Sequence, residues 1–439
     1  MKHLILITIA LLFIFNAAAQ QRKIDYVEYK LNNGLHVILH QDNTTPVVAV
    51  TVTYHVGSKN ENADRTGFAH FMEHLMFEGS ANIARGEYFK IVQDAGGRVN
   101  AYTSQDKTHY YELLPSNQLE LGLWMEAERM LHLVIDSVGV ETQRSVVKEE
   151  RSQRYDNQPY GSFMEEIFKR AYKEHPYTWL PIGSVQYIDQ ASLGEFREFH
   201  KTYYVPNNAV LAIAGDIDIE KTKKLIHKYF ADISAGKQPI VRPIVVEKPL
   251  DGEVRDIVYD NIQLPAVIQA YRIPEKGHPD SYALEMLTNI MSSGQSSRMY
   301  KSIVDEQQKG VAVFSFPFPL ADPGLFIVLG ITNMGVTADD LEKAINTEIE
   351  KLKKDGLSEM EFQKARNMAE TQFVTNNSRV STIADQLAEY YIFYDDANLI
   401  NTEIDRYMKV SPDDILKIAN KYLNDNNRVV LYYLPKSKI

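Results

Sequence analysis

Ser192-Leu-Gly-Glu-Phe-Arg-Glu-Phe-His-Lys-Thr-Tyr203, continuing to Asn207-Asn208-Ala209-Val210, returns later in the chain. The second copy is Ser411-Pro-Asp-Asp-Ile-Leu-Lys-Ile-Ala-Asn-Lys-Tyr422, continuing to Asn426-Asn427-Arg428-Val429, at a constant offset of 219 with no gap. Each copy runs as an amphipathic helix, turns at Asn-Asn and enters a strand. One helix–turn–strand unit closing two stretches of similar length predicts an internal duplication. The fold class expected is α+β, in two homologous domains, each a mostly antiparallel sheet packed with helices. A length of 439 residues agrees, since a single core becomes uncommon beyond about 250–300 residues. The expected boundaries are 20–233 and 251–439. Residues 234–250, with Gly236, Pro239, Pro243 and Pro249, form the linker between them.

In the first half, Val27 to His40 reads as a hairpin turning at Asn32-Asn33-Gly34, and Val47 to His55 as a buried strand. Thr66 is placed to cap a helix from Gly67 to about Glu78, with Gly79 just past its end. That helix contains His70-Phe71-Met72-Glu73-His74. Two histidines four apart share one helix face, and Glu73 projects from nearly the same face. Two imidazoles with a carboxylate beside the open positions suit a divalent metal, zinc best of all. The order H-x-x-E-H is the inverzincin signature. In the second half the corresponding helix is Asp280 to Ser292, where Glu285, Thr288 and Asn289 replace His70, Glu73 and His74. One half carries chemistry and the other architecture.

Composition bounds the function. A formal charge of −11, without a Lys/Arg-rich run, argues against nucleic acid as partner. Met1-Lys2-His3, the apolar run Leu4 to Phe15 and the A-x-A site Ala17-Ala18-Ala19 read as a secretory signal peptide over 1–19. Its removal takes Lys2 and no acidic residue, moving the charge from −11 to −12. The apolar run is short for a membrane span, so no membrane span is expected. With no cysteine, thiol catalysis, a lipid-anchored cysteine and a cysteine-ligated metal are excluded. The expected address is the periplasm, with secretion beyond it as the alternative.

His70-Phe-Met-Glu-His-Leu-Met-Phe-Glu-Gly79 resembles the pitrilysin/insulinase family of zinc peptidases, in particular its two-domain branch that includes mitochondrial processing peptidase subunits. The resemblance implies a third metal ligand about 76 residues beyond the second histidine, on a helix reading roughly E-R-x-V-V-x-x-E. Val146-Val147-Lys148-Glu149-Glu150-Arg151 supplies that helix, and the family spacing points to Glu150, with its neighbour Glu149 as the alternative. The family's additional glutamate seven residues earlier is Gln143 here. Asn100-Ala101-Tyr102-Thr103, with Asp106 and Thr108, resembles the family's N-A-x-T-x-x-D-x-T segment, an edge strand to which a peptide substrate adds. His175-Pro176-Tyr177 through Gly183-Ser184 resembles its H-P-Y…P-I-G loop.

These matches imply a zinc metalloendopeptidase holding one Zn²⁺ per chain on His70, His74 and Glu150. Glu73 is the implied catalytic general base, and Asn100 to Thr103 the peptide-binding strand. One departure concerns partners. Catalytically complete relatives carry an Arg and a Tyr seven apart soon after an S-S-R segment. Counting from Ser296-Ser297-Arg298 puts those positions on Val304 and Val311, and valine donates no hydrogen bond. The resemblance therefore implies a heterodimer in which a homologous subunit supplies Arg and Tyr, a homodimer or a monomer of reduced activity being the alternatives. A non-catalytic peptide-binding or scaffold subunit is the competing class.

Overall fold

The computed structural model describes residues 23–436. The expected signal peptide, 1–19, lies outside the described residues. Among these, no helix is long and apolar enough to cross a membrane.

Two sheets organise the chain. The first contains β1 (Val27–Lys30), β2 (His36–Gln41), β3 (Val47–Tyr54), β4 (Arg98–Thr103), β5 (Thr108–Pro115) and β6 (Ala209–Gly215), in spatial order β1-β2-β6-β3-β5-β4. The second contains β7 (Val254–Asp260), β8 (Ala266–Arg272), β9 (Gly310–Phe318), β10 (Leu325–Thr332) and β11 (Arg428–Pro435), in order β7-β11-β8-β10-β9. In each sheet the last strand runs parallel to the first of the five, and every other pairing among those five is antiparallel. Apart from β1, an added edge strand, the two sheets share one topology.

The repeat seen in sequence is a repeat in space. Helices Leu193–Tyr203 and Pro412–Tyr422, and strands β6 and β11, begin 219 residues apart. Both helices start in a capping box, Ser192 with Glu195 and Ser411 with Asp414. Asn208 and Asn427 do the same work: each Nδ2 donates to the closing tyrosine carbonyl, Tyr203 at 2.8 Å and Tyr422 at 2.9 Å. Each also donates across to the end of the neighbouring strand, at His55 and Arg272. A turn whose backbone acceptors need side-chain donors explains why asparagine stands at both places.

Chain division and packing division differ. Helix Val380–Tyr394, from the second half of the sequence, lays Ile383, Ala384, Leu387 and Ala388 onto Ile38, Ala49, Val210, Ala212 and Ala214 of the first sheet. Helix Phe163–Ala171, from the first half, packs on the second sheet, with Phe168 edge-on to Phe318. Each sheet is thus covered on one face by a helix from the other half. Residues 231–253 carry no helix or strand, yet Arg242 donates to the His55 carbonyl and Glu247 accepts three successive backbone N–H groups from Lys173 to His175.

Candidate metal centre and substrate edge

The helix bearing the histidines spans Phe68–Leu75. Phe68, Ala69, Phe71, Met72 and Leu75 are buried, leaving His70, Glu73 and His74 on the half-buried face. Its start differs from the expected Thr66 cap. Gly67 takes the capping position at φ +98°, and the Glu61 carboxylate accepts from the Gly67 and Ala69 N–H groups, both at 2.8 Å. Burial pushes the Glu61 carboxyl up to about 8, against these bonds and the Trp179 indole. Thr66 Oγ1 instead accepts from the Ser184 N–H. The Pro181–Ser184 loop fixes the helix by backbone contact: a Cβ on Gly183 would lie 2.3 Å from the Gly67 Cα.

Glu150 arrives on helix Ser137–Arg151, capped by Asp136, which accepts from the Gly139 N–H at 2.8 Å. Its Oε2 lies 3.2 Å from His74 Nε2 and 3.5 Å from His70 Nε2, and the two imidazole nitrogens are 3.4 Å apart. Zinc bonds of about 2.0–2.2 Å in a tetrahedron space their donor atoms about 3.3–3.6 Å apart. Two imidazoles and a carboxylate at these separations fit that ion. Glu149 is exposed and accepts from Gln153 Nε2. Among the described residues, His70, His74 and Glu150 are the one group of three or more such side chains close enough to share a metal.

The surroundings favour the charge states a metal requires. Burial pushes His70 down to about 4, with His74 adding to the effect, so its imidazole is neutral at pH 7. Hydrogen bonding from His74, together with the neighbouring His70 and Arg154, holds Glu150 below its ordinary value despite partial burial. Glu150 Oε1 is also 2.8 Å from Arg154. A turn of π-helix at Ser152–Asp156 carries that arginine on from the ligand helix. His74 Nδ1 lies 3.0 Å from Gln143 Oε1. The amide oxygen can only accept, so Nδ1 carries a proton, and a metal would take Nε2 in place of its hydrogen bond to Glu150. Gln143 Nε2 in turn donates to Glu78, which pairs with Arg85.

Glu73 sits between the metal cluster and the edge strand. Thr103 Oγ1 on β4 donates to Glu73 Oε2 at 2.6 Å. Burial raises the Glu73 carboxyl, and this hydrogen bond opposes the rise. β4 pairs with β5 and has no second neighbour among the described residues. Asn100 and Tyr102 are exposed, while Ala101 and Thr103 are half-buried. The Asn100 Oδ1 accepts from the Ala101 N–H at 2.9 Å, a bond that an added strand must displace. Tyr102 donates to Asp385 at 3.0 Å, on the helix contributed by the second half. Asp106 and Tyr177 belong to a different cluster. Asp106 pairs with Lys59 at 2.8 Å, accepts from Tyr177 and from the Ala321 N–H, and so ties the two halves together. Val304 packs against the second core, Val311 is 47% exposed on β9, and Arg298 pairs with Glu361.

The sequence reading missed Glu61, Arg154 and Asp385. Asp385 acts on a strand 283 residues away and carries no local mark, whereas Arg154 stands four residues beyond Glu150 on the continuing helix, a spacing that could have been read.

Residues 36–179 match the family model described as Insulinase (Peptidase family M16), and residues 190–369 the model described as Peptidase M16 inactive domain. The zinc protease PqqE of Helicobacter pylori is 33% identical over 408 residues, covering 92% of each chain. An uncharacterized zinc protease of Bacillus subtilis, YmxG, is 24% identical, over 80% of this chain and 86% of its own. The crystal structure of a protease from Helicobacter pylori superposes with a TM-score of 0.91 at 31% identity, covering 94% of this chain and 100% of that one. The periplasmic protease PqqL from Escherichia coli shares the fold, with a TM-score of 0.75 at 17% identity; 94% of this chain covers 48% of it. With this coverage and identity, and with one family model on each half, the chain belongs to the insulinase (M16) family of peptidases.

Proposed function

We propose that this chain is an exported zinc metalloendopeptidase that hydrolyses peptide bonds in extended peptides or small unfolded proteins. The observation that carries the reading is the convergence of three donor atoms, 3.2–3.5 Å apart, beside a carboxylate tied to an open strand edge. His70, His74 and Glu150 would hold one zinc ion. When bound, zinc supplies a Lewis acid that polarises a carbonyl and lowers the pKa of water towards about 7.

The remaining work falls to the chain. An extended peptide pairs with the free edge of β4, where backbone hydrogen bonding accepts varied side chains. Glu73 takes a proton from the attacking water as its oxygen bonds to the scissile carbonyl carbon. It then gives that proton to the leaving nitrogen as the C–N bond breaks. Such base and acid help is worth about 10²–10⁴ in rate. Thr103 holds the carboxylate at the strand that presents the substrate. The valines at 304 and 311 support a heterodimer with a homologous subunit contributing Arg and Tyr. The leader sequence supports the periplasm, where the PqqL neighbour is described as residing.

The test compares wild type with Glu73→Gln for peptide cleavage and zinc content, alone and with a homologous Arg/Tyr-bearing subunit. The expected result is loss of cleavage with zinc retained. Equal cleavage by the two proteins overturns the role of Glu73. Zinc-loaded wild type that cleaves nothing even with the partner favours the scaffold reading instead.

A further inference from the structure

Helix Ser137–Arg151, which carries Glu150, reaches the start of the histidine helix by a second route besides the ligands themselves. Three cations on it grip one segment, residues 183–191. Arg151 Nη1 donates to the Gly183 carbonyl at 2.6 Å, and Lys148 pairs with Asp189 at 2.9 Å. Arg144 donates to the carbonyls of Ile188 and Ala191, the latter at 2.9 Å. Both carbonyls stand at the end of the short helix Val185–Gln190, where the backbone has no intrahelical donors left. The Arg144 and Arg151 side chains are only 13% and 14% exposed. A guanidinium so enclosed is kept where its donors are used.

The same segment rests on the residue that opens the histidine helix. Gly183, at φ +66°, lies so close that a Cβ there would come within 2.3 Å of the Gly67 Cα. A Cβ on Gly67 would meet the Ile188 side chain at 3.3 Å. The Ser184 N–H donates to Thr66 Oγ1 at 3.1 Å. Backbone seated on backbone has no side chain to yield, so a displacement on one side is passed to the other. Contacts therefore run from the ligand helix through Arg151 and Arg144 to Gly183 and Ile188, and from these to Gly67.

At about 100° per residue, Arg144, Lys148 and Arg151 fall on one stripe of their helix, about 120° round from the stripe of Gln143 and Glu150. The grip thereby sets the rotation at which Glu150 faces the imidazoles. Turning the helix by about 10° carries a side-chain tip, about 6 Å from the axis, through about 1 Å. Metal–ligand bonds hold to within about 0.2 Å. We propose that Arg151 and Arg144 are positioning residues for the metal centre, holding Glu150 Oε2 on His70 and His74 through residues 183–191. The inference rests on the assignment of those three side chains as ligands.

The test titrates the full chain with Co²⁺, whose visible d–d bands report the number and symmetry of its ligands, and follows melting of the metal-free protein alongside. Arg151→Met is expected to bind Co²⁺ about tenfold more weakly than wild type, with altered bands at saturation. Arg151→Lys, which can still donate to the Gly183 carbonyl, is expected to recover most of the affinity and the wild-type bands. Glu165→Gln removes the other partner of Arg151, 2.8 Å from its Nη2, and leaves the Gly183 bond in place. It should keep wild-type affinity and bands even where its melting temperature falls. Arg144→Gln cuts the other end of the grip, carries the same expectation as Arg151→Met, and keeps the test decisive where that variant does not fold. Wild-type affinity and bands in both arginine variants overturn the inference. An equal loss in Glu165→Gln overturns it too, because the effect would then be one of stability alone. Glu150→Gln separates the two assignments. Wild-type Co²⁺ binding in that variant refutes the ligand set and the inference with it, whereas loss there beside unaltered arginine variants refutes the positioning role only.

Discussion

Replacing Gln143 tests whether the geometry around His74 governs metal affinity. The Gln143 amide does two opposite things: its oxygen accepts from His74 Nδ1 at 3.0 Å, and its nitrogen donates to Glu78. Leucine at this position removes both. The His74 ring then loses the partner that fixes its tautomer and orientation, a loss worth about 10–100-fold in metal affinity, or about 1.4–2.7 kcal/mol. Glutamate, found here in other family members, can accept from His74 but cannot donate to Glu78. It would set two carboxylates against each other, with Arg85 alone to balance them. Gln143→Glu is therefore also expected to bind zinc more weakly than wild type, and Gln143→Glu/Glu78→Gln to recover most of the loss by restoring a donor. Competition against a chromogenic zinc chelator, at fixed pH with folding checked by circular dichroism, gives the three affinities. Wild-type affinity in Gln143→Leu, or a double variant no better than Gln143→Glu, would refute the reasoning.

Two further outcomes follow from the same geometry. Glu150→Gln should lose zinc by at least an order of magnitude in affinity, whereas Glu149→Gln should match wild type, both read by metal analysis after dialysis; equal losses would show that the ligand helix is turned differently. Asp322 is pushed up by burial, but the His175 imidazole 3.3 Å away and the Lys59 ammonium outweigh that and hold it at about 2. A depressed carboxyl adds stability above its unfolded value of about 3.9, and that stability disappears as pH falls through 2. With its side chain 36% exposed, screening leaves a contribution of about 1 kcal/mol. Asp322→Asn should therefore be less stable in urea at pH 7, with the difference closing between pH 4 and pH 2. A gap that is constant across that range would rule out the ion pair as its cause.

What could be read in advance was whatever depends on neighbours in sequence. Periodicity placed the helices around His70 and Glu150 because an apolar face repeats within each. The offset of 219 was visible because a tyrosine and an Asn-Asn turn recur at fixed spacing, and both are local signals. The reach from His74 to Glu150 crosses several elements, so only family spacing could select Glu150; the structure then shows Glu149 facing solvent and Glu150 facing the imidazoles. Thr66 looked like the cap since capping is normally adjacent, and Glu61 displaced it by reaching back from a loop. The exchange of helices between the sheets was not legible. An amphipathic pattern says that a face is buried without saying against which sheet.

That exchange makes the second half part of the proposed substrate edge. β4 is held on one side by Thr103 bonding to Glu73 and on the other by Tyr102 bonding to Asp385. Asp385 also pairs with Lys107 at 2.7 Å, and Lys107 is buried. The helix that carries Asp385 covers Ile38, Ala49, Val210, Ala212 and Ala214, each at most 3% exposed in the whole chain. A fragment ending near residue 250 keeps every proposed metal ligand but uncovers this face, leaves Lys107 without its carboxylates and frees one side of β4. At roughly 25 cal/mol per Å² of apolar surface, uncovering an isoleucine, a valine and three alanines costs several kcal/mol, a large part of the 5–15 kcal/mol by which domains are typically stable. The fragment is expected to aggregate or populate an open state without cooperative melting, and co-expression with residues 251–439 should restore a folded, zinc-binding complex. A fragment that is monomeric, melts cooperatively and binds zinc alone would show that the exchanged helix is decoration and not part of the site.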